Sequence, residues 1–102
     1  MKIKTIDIQA KEWFDKINGN SYFSANITIN FGTDTQQNIF LPFQYGYGDH
    51  YQDMAGQELL KLKLVKKYKD NFYFSLWKYC QDKKIILRMS KQENCLKRDL
   101  NN

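Results

Sequence analysis

Pro42-Phe43-Gln44-Tyr45-Gly46-Tyr47-Gly48-Asp49-His50-Tyr51 is where the chain changes its periodicity. Before this stretch apolar residues recur at every second position, the spacing of a strand with one buried face. After it they recur at three and four, the spacing of a helix. The stretch holds the single proline and the single histidine of the 102 residues, two of the five glycines and three of the seven tyrosines. It reads as a strand–loop–helix junction. Its paired glycines predict either unusual backbone dihedrals or a close approach of the backbone to a neighbour.

Toward the N-terminus, Ile3 to Phe14 reads as a first strand, with Ile6, Ile8, Ala10 and Phe14 on one parity. Asn18-Gly19 follows, a dipeptide that favours a tight type I′ hairpin. The alternation beyond it is clean: Phe23, Ala25, Ile27, Ile29 and Phe31 share one face, while Tyr22, Ser24, Asn26, Thr28 and Asn30 share the other. That is a half-buried antiparallel strand whose polar face meets water. Gly32 to Gln37 is a polar turn, and Asn38 to Gln44 is a third strand with Ile39, Leu41 and Phe43 facing inward. Pro42 has no backbone donor, which places this strand at a sheet edge or near its end.

Toward the C-terminus, Asp49 stands at a helix N-cap with Gln52 in the capping-box position. Tyr51, Met54, Ala55, Leu59 and Leu62 form an apolar stripe, so a helix is expected from Asp49 to about Val65. Glycine within a helix costs about 1 kcal/mol relative to alanine, so Gly56 predicts a neighbour packed closely there. Tyr68-Lys69-Asp70-Asn71 breaks the pattern. Phe72 to Cys80 suits a strand by its aromatic content, but Ser75 can cap a short helix with Phe74 and Tyr79 as a hydrophobic staple, and the helix is the expectation. Ile85 to Met89 reads as a returning strand, and Ser90 with Glu93 forms a second capping box that predicts a final short helix to about Leu100.

Together these elements predict an α+β fold in one domain spanning 1–102. A three-stranded antiparallel meander (about 2–15, 21–31 and 38–44) is covered on one face by the 49–65 helix. The strand near 85–89 joins or extends the sheet, with short helices in the C-terminal part. The expected core contains Phe23, Ile27, Ile29, Leu41, Phe43, Met54, Leu59 and Leu87.

Composition narrows the function classes. No apolar run approaches the roughly 20 residues of a membrane span, so a soluble, cytoplasmic protein with no membrane partner is expected. Cys80 and Cys95 match no CxxC spacing and have one histidine between them, too few ligands for zinc, so no metal and no cofactor are expected. Both read as plain thiols, and Cys80, if buried, as a small apolar residue. Charge is uneven. Residues 1–60 carry four Lys against seven acids, net −3, and residues 61–102 carry twelve Lys and Arg against four acids, net +8. This predicts either a basic face toward a polyanion or acidic partner, or a solvated lysine-rich surface.

Groups for catalysis are sparse. His50 beside Asp49 and near Asp53 offers a base with an orienting carboxylate, yet Asp49 is better explained as the cap and Asp53 as a complement to the helix dipole. The expectation is no catalytic residue and no enzyme. The Tyr45-Gly46-Tyr47-Gly48 run matches neither a dinucleotide fingerprint nor a P-loop. It is a tight junction with tyrosines packed over glycines, or a partner-contacting loop in which Tyr45, Tyr47, His50 and Tyr51 make the contacts. Lys61, Lys63, Lys66, Lys67 and Lys69, the aromatics Phe72, Tyr73, Phe74, Trp77 and Tyr79, and then Arg88 have the interleaved arrangement of a nucleic-acid surface.

The blocks Glu12-Trp13-Phe14-Asp15-Lys16-Ile17-Asn18-Gly19-Asn20-Ser21-Tyr22-Phe23-Ser24 and Tyr45-Gly46-Tyr47-Gly48-Asp49-His50-Tyr51 resemble a small family of phage and prophage proteins. These proteins also tend to have a Tyr-Cys pair before a short strand, as Tyr79-Cys80 stands ahead of Ile85. The family has no assigned activity, so the resemblance transfers no catalytic residue. It implies a small phage accessory protein acting in the bacterial cytoplasm. Proteins of that setting often block host defence complexes, CRISPR complexes included, by stoichiometric binding.

The functional expectation is therefore a non-enzymatic, anti-CRISPR-like inhibitor of a host nucleic-acid-handling or defence complex. Its partner is a host protein or nucleoprotein, and the chain itself is a monomer or homodimer. The alternative is a protein that binds nucleic acid directly through its basic C-terminal half.

Overall fold

The computed structural model describes residues 2–67 and 74–101. Four strands form one mixed sheet: β1 (Thr5–Asp15), β2 (Asn20–Ile29), β3 (Gln37–Tyr45) and β4 (Ile86–Gln92), in the spatial order β3-β2-β1-β4. The first three are the expected antiparallel meander. β4 lies parallel to β1 along its other side. A parallel return requires a long crossover, and the segment holding α1 (His50–Lys61) and α2 (Leu76–Lys83) provides it. The fold is α+β, with the expected late strand added to the sheet.

One face of the sheet makes the main core. Ile6, Ile8 and Ala10 of β1, Phe23, Ala25, Ile27 and Ile29 of β2, and Leu41 of β3 are buried against Tyr51, Ala55 and Leu59 of α1 and Leu76, Tyr79 and Cys80 of α2. Ile8 pairs with Ile27, and Ile27 with Ile39, so a row of branched side chains crosses the sheet beneath α1. Met54 and Leu87 pack against this core, half-buried. Phe74 lies 3.3 Å from where a Cβ on Gly56 would stand, which is the close neighbour expected at that glycine. Burial raises the Cys80 thiol to about 11, so it behaves as a small apolar group.

Phe43 is a correction to the expected core. Between the Phe23–Gln44 and Ala25–Leu41 pairs, β3 holds one residue more than β2. This bulge places Pro42 and Phe43 opposite Ser24 and resets the alternation. Phe43, 36% exposed, lies on the opposite face with its ring stacked on Tyr22 at 4.9 Å and near Trp13 at 6.2 Å. Pro42 sits at this bulge on an edge strand, where its missing N–H removes no ladder bond. Phe14 and Phe31 are exposed as well: Phe14 lies past the last buried core position of β1 at Ala10, and β2 stops at Ile29 because Asn30 turns the chain with φ +53.

Other boundaries move for local reasons. The Asn18-Gly19 turn is not type I′, since only Gly19 has positive φ. The connection is a four-residue turn closed by the Gly19 N–H donating to the Asp15 carbonyl at 2.7 Å. Asp49 precedes α1, but its side chain makes no capping bond, because its φ and ψ of −91 and 9 lie outside the extended region of an N-cap. α1 ends before Val65, where Lys63 takes φ +61. The Leu64 N–H then donates to Leu59 and the Lys63 N–H to Leu60, a Schellman closure. Ser75 caps α2 by accepting from the Lys78 N–H at 3.3 Å, and Phe74 meets Tyr79 at 5.8 Å, the expected staple. The break at 68–71 and the start of that segment at Phe72 and Tyr73 lie outside the described residues.

The predicted final helix from Ser90 is also corrected. Ser90 belongs to β4 and pairs with Gln9, so ladder pairing overrides the local capping signal. The chain instead closes with a 3₁₀ turn at Lys97–Asn101 that lies across β1, β2 and β3. There the Lys97 ammonium stands 5.5 Å above the Trp13 ring and 5.9 Å above Phe43. Leu100 is fully buried outside the main core cluster, so the turn forms a second, smaller apolar layer on the outer sheet face.

Candidate functional site

Two concave surfaces lie at opposite ends of α1, a helix about 18 Å long. The first is built by the periodicity-switching stretch. The Gly46 N–H donates to the Ser21 carbonyl at 3.0 Å, carrying the loop off the end of β3. Gly48 then takes φ +61, a conformation open to glycine at no steric cost. Lys91 holds the loop from behind, its ammonium donating to the Gly48 carbonyl at 3.0 Å while pairing with Glu12 at 3.3 Å and Glu93 at 3.5 Å.

The result is a hollow of about 480 Å³ lined by Tyr45, Tyr47 and His50, with Asp49, Gln52 and Asp53 on the helix side. Tyr45 and Tyr47 are 59% and 70% exposed. The His50 ring meets the Phe23 ring edge-on at 6.0 Å and closes the hollow toward the core. Of the four residues expected in this loop, three are brought together at the surface. Tyr51 is not: it is 5% exposed and packs inside the core, because it opens the buried stripe of α1.

The second surface is a groove of about 360 Å³ with four lysines around it: Lys2, Lys63, Lys66 and Lys83. All four are exposed. Ile3, Leu64 and Ile85 give it an apolar floor, and Tyr79 closes one side. Of the expected basic residues, Lys63 and Lys66 meet here. Lys61 and Lys67 are exposed but do not line the groove, and Lys69 lies outside the described residues.

Arg88 does not join them. On the outer sheet face its guanidinium donates to both Asp7 carboxylate oxygens, at 2.6 and 3.0 Å, and the bidentate pair ties β4 to β1. Lys2 and Lys83 were not legible as partners of Lys63, since one precedes β1 and the other ends α2. Among the described residues, no three His, Cys, Asp or Glu side chains gather as a metal site. None of the described helices is long and apolar enough to cross a membrane.

Comparison of the chain with protein-family models, with curated proteins and with solved structures finds no match in any of the three.

Proposed function

We propose that this chain acts by stoichiometric, non-enzymatic binding, as a small phage-type accessory protein that inhibits a host nucleic-acid-handling or defence complex in the manner of an anti-CRISPR protein. The observation that supports a binding role is the tyrosine hollow. Two strongly exposed tyrosines, Tyr45 at the end of β3 and Tyr47 on the loop that follows, stand together where the loop is tied to the sheet by Gly46 and braced by Lys91. Tyrosines are frequent binding hot spots, because they offer large amphipathic area with few rotatable bonds to freeze. Holding the loop in place lowers the ordering cost of association. The phage setting and the bacterial cytoplasm rest on the resemblance of the 12–24 and 45–51 blocks.

The reading is tested by capture from host lysate on the immobilised protein, with and without nuclease, beside a Tyr45→Ala/Tyr47→Ala variant. A protein complex recovered in fixed stoichiometry after nuclease, lost in the variant and inhibited by the wild type, is expected. Recovery of nucleic acid alone, or equal capture by the variant, overturns it.

A further inference from the structure

We infer that the groove walled by Lys2, Lys63, Lys66 and Lys83 holds successive phosphates of a single nucleic-acid strand. The four lysines come from three separate stretches of chain, so only the tertiary fold assembles them. Among the described residues, no carboxylate lines the groove. Gathering like charges around one concavity opposes folding and focuses positive potential on a guest. Part of that charge complements the C-terminal dipoles of the two helices. Lys61 in the last turn of α1 and Lys83 in the last turn of α2 already serve there, which leaves Lys2, Lys63 and Lys66 in excess of that need.

The groove is also held in shape. The Asn30 side chain donates to the Lys2 carbonyl at 2.9 Å and accepts from the Lys4 N–H at 2.7 Å, fixing the N-terminal wall. Lys63 is kept at φ +61, where glycine is the less strained residue, so the helix end bears backbone strain at a position that lines the groove. The apolar floor of Ile3, Leu64 and Ile85 suits the sugar and base of a strand better than a free anion. This inference stands apart from the tyrosine-loop reading: either can fail while the other holds.

The test is fluorescence anisotropy of a labelled oligothymidylate titrated from low to physiological salt. Four phosphate contacts to a single strand predict a log–log salt slope of about −2.8. Removing two with Lys2→Gln/Lys83→Gln makes the slope shallower by roughly 1.4, and Lys63→Gly makes it shallower by roughly 0.7. Lys63→Gly is expected to raise the melting temperature while weakening binding, which separates loss of the contact from loss of the fold. Lys16→Gln and Lys78→Gln remove exposed charge away from the groove and keep the wild-type slope. The proposal is overturned if no binding occurs at low salt, if those two variants weaken binding as much as the groove variants, or if Lys63→Gly binds like wild type. Binding to phosphatidylserine vesicles without binding to the oligonucleotide also overturns it.

Discussion

The Asn30 carboxamide oxygen lies 2.7 Å from the backbone N–H of Lys4, and through that bond the end of β2 fixes the segment leading into β1. The same oxygen accepts from the Thr5 N–H at 3.3 Å, and the amide nitrogen donates to the Lys2 carbonyl and to Thr35 Oγ1, each at 2.9 Å. Asn30 is 2% exposed with φ +53, a backbone region asparagine tolerates better than most residues. Asn30→Ala removes all four hydrogen bonds of this buried side chain at once and is expected to cost roughly 2–4 kcal/mol. Urea denaturation measures it, and a midpoint equal to wild type would deny Asn30 this role.

Ile27 stands in the middle of the core row, fully buried and paired on one side with Ile8 and on the other with Ile39. Ile27→Ala leaves a cavity that flanking strands cannot close without breaking register. The expected cost is about 2–5 kcal/mol, comparable with the whole stability of about 5–15 kcal/mol for a small domain. A denaturation midpoint like wild type would remove Ile27 from the core.

Features written locally were legible. The alternation of β2 gave the face that packs under α1 and α2, but not the burial of Ser24 and Asn30 on the side expected to meet water, where the C-terminal 3₁₀ turn also crosses the strand. Tyr45, Tyr47 and His50 meet because they are neighbours in the chain. Features set by long-range pairing were not legible. Phe43 changes face at a bulge whose evidence lies in the β2 register, and Ser90 is drawn into a strand by Gln9, far away in the sequence. The lysine groove needed the fold to bring Lys2 and Lys83 together, and Arg88 left the basic surface because Asp7 lies beside it across a parallel pair.

Lys84 ends α2 with φ +59 and ψ +39, while the Ile85 N–H donates to Cys80 at 2.8 Å. A left-handed residue at a Schellman closure strains any side chain with a Cβ. Lys84 does not line the groove, so Lys84→Gly is expected to stabilise the protein by roughly 0.5–1 kcal/mol without changing oligonucleotide binding. At about 4–8 °C per kcal/mol for a domain near this size, the rise is readable in a thermal melt. A lowered melting temperature contradicts it.

Asp15 predicts an acid sensitivity. The Asn18 side chain donates to its carboxylate at 2.7 Å and holds its pKa below the ordinary 3.8. Burial opposes this, while the Asn18 and Ile17 backbone N–H groups and the charge of Lys97 assist. A carboxyl lowered in the folded state adds stability above its unfolded value, and that stability is lost as pH falls through the folded one. Asp15→Asn should therefore be less stable than wild type at neutral pH, and the two should converge on acidification below 3.8. Thermal melts across that range check the sign, and a constant difference between the curves rejects it.

Gly46 and Gly48 lie two residues apart and are glycine for different reasons, which one pair of substitutions separates. A Cβ on Gly46 would stand 2.6 Å from His50 Cδ2 and 2.7 Å from Phe23 Cε1. His50 is exposed and can swing away, but Phe23 is 1% exposed and has nowhere to move. Gly46→Ala is expected to cost roughly 1–3 kcal/mol by overpacking and to displace His50 from the rim of the tyrosine hollow. A Cβ on Gly48 would meet nothing within 4 Å, so only the φ of +61 restricts a side chain there. Asparagine adopts that region more readily than other side chains, so Gly48→Asn should melt within a few degrees of wild type and retain partner capture. Equal stability of Gly46→Ala and wild type would mean that the loop does not pack against Phe23, and the braced hollow would lose its physical basis.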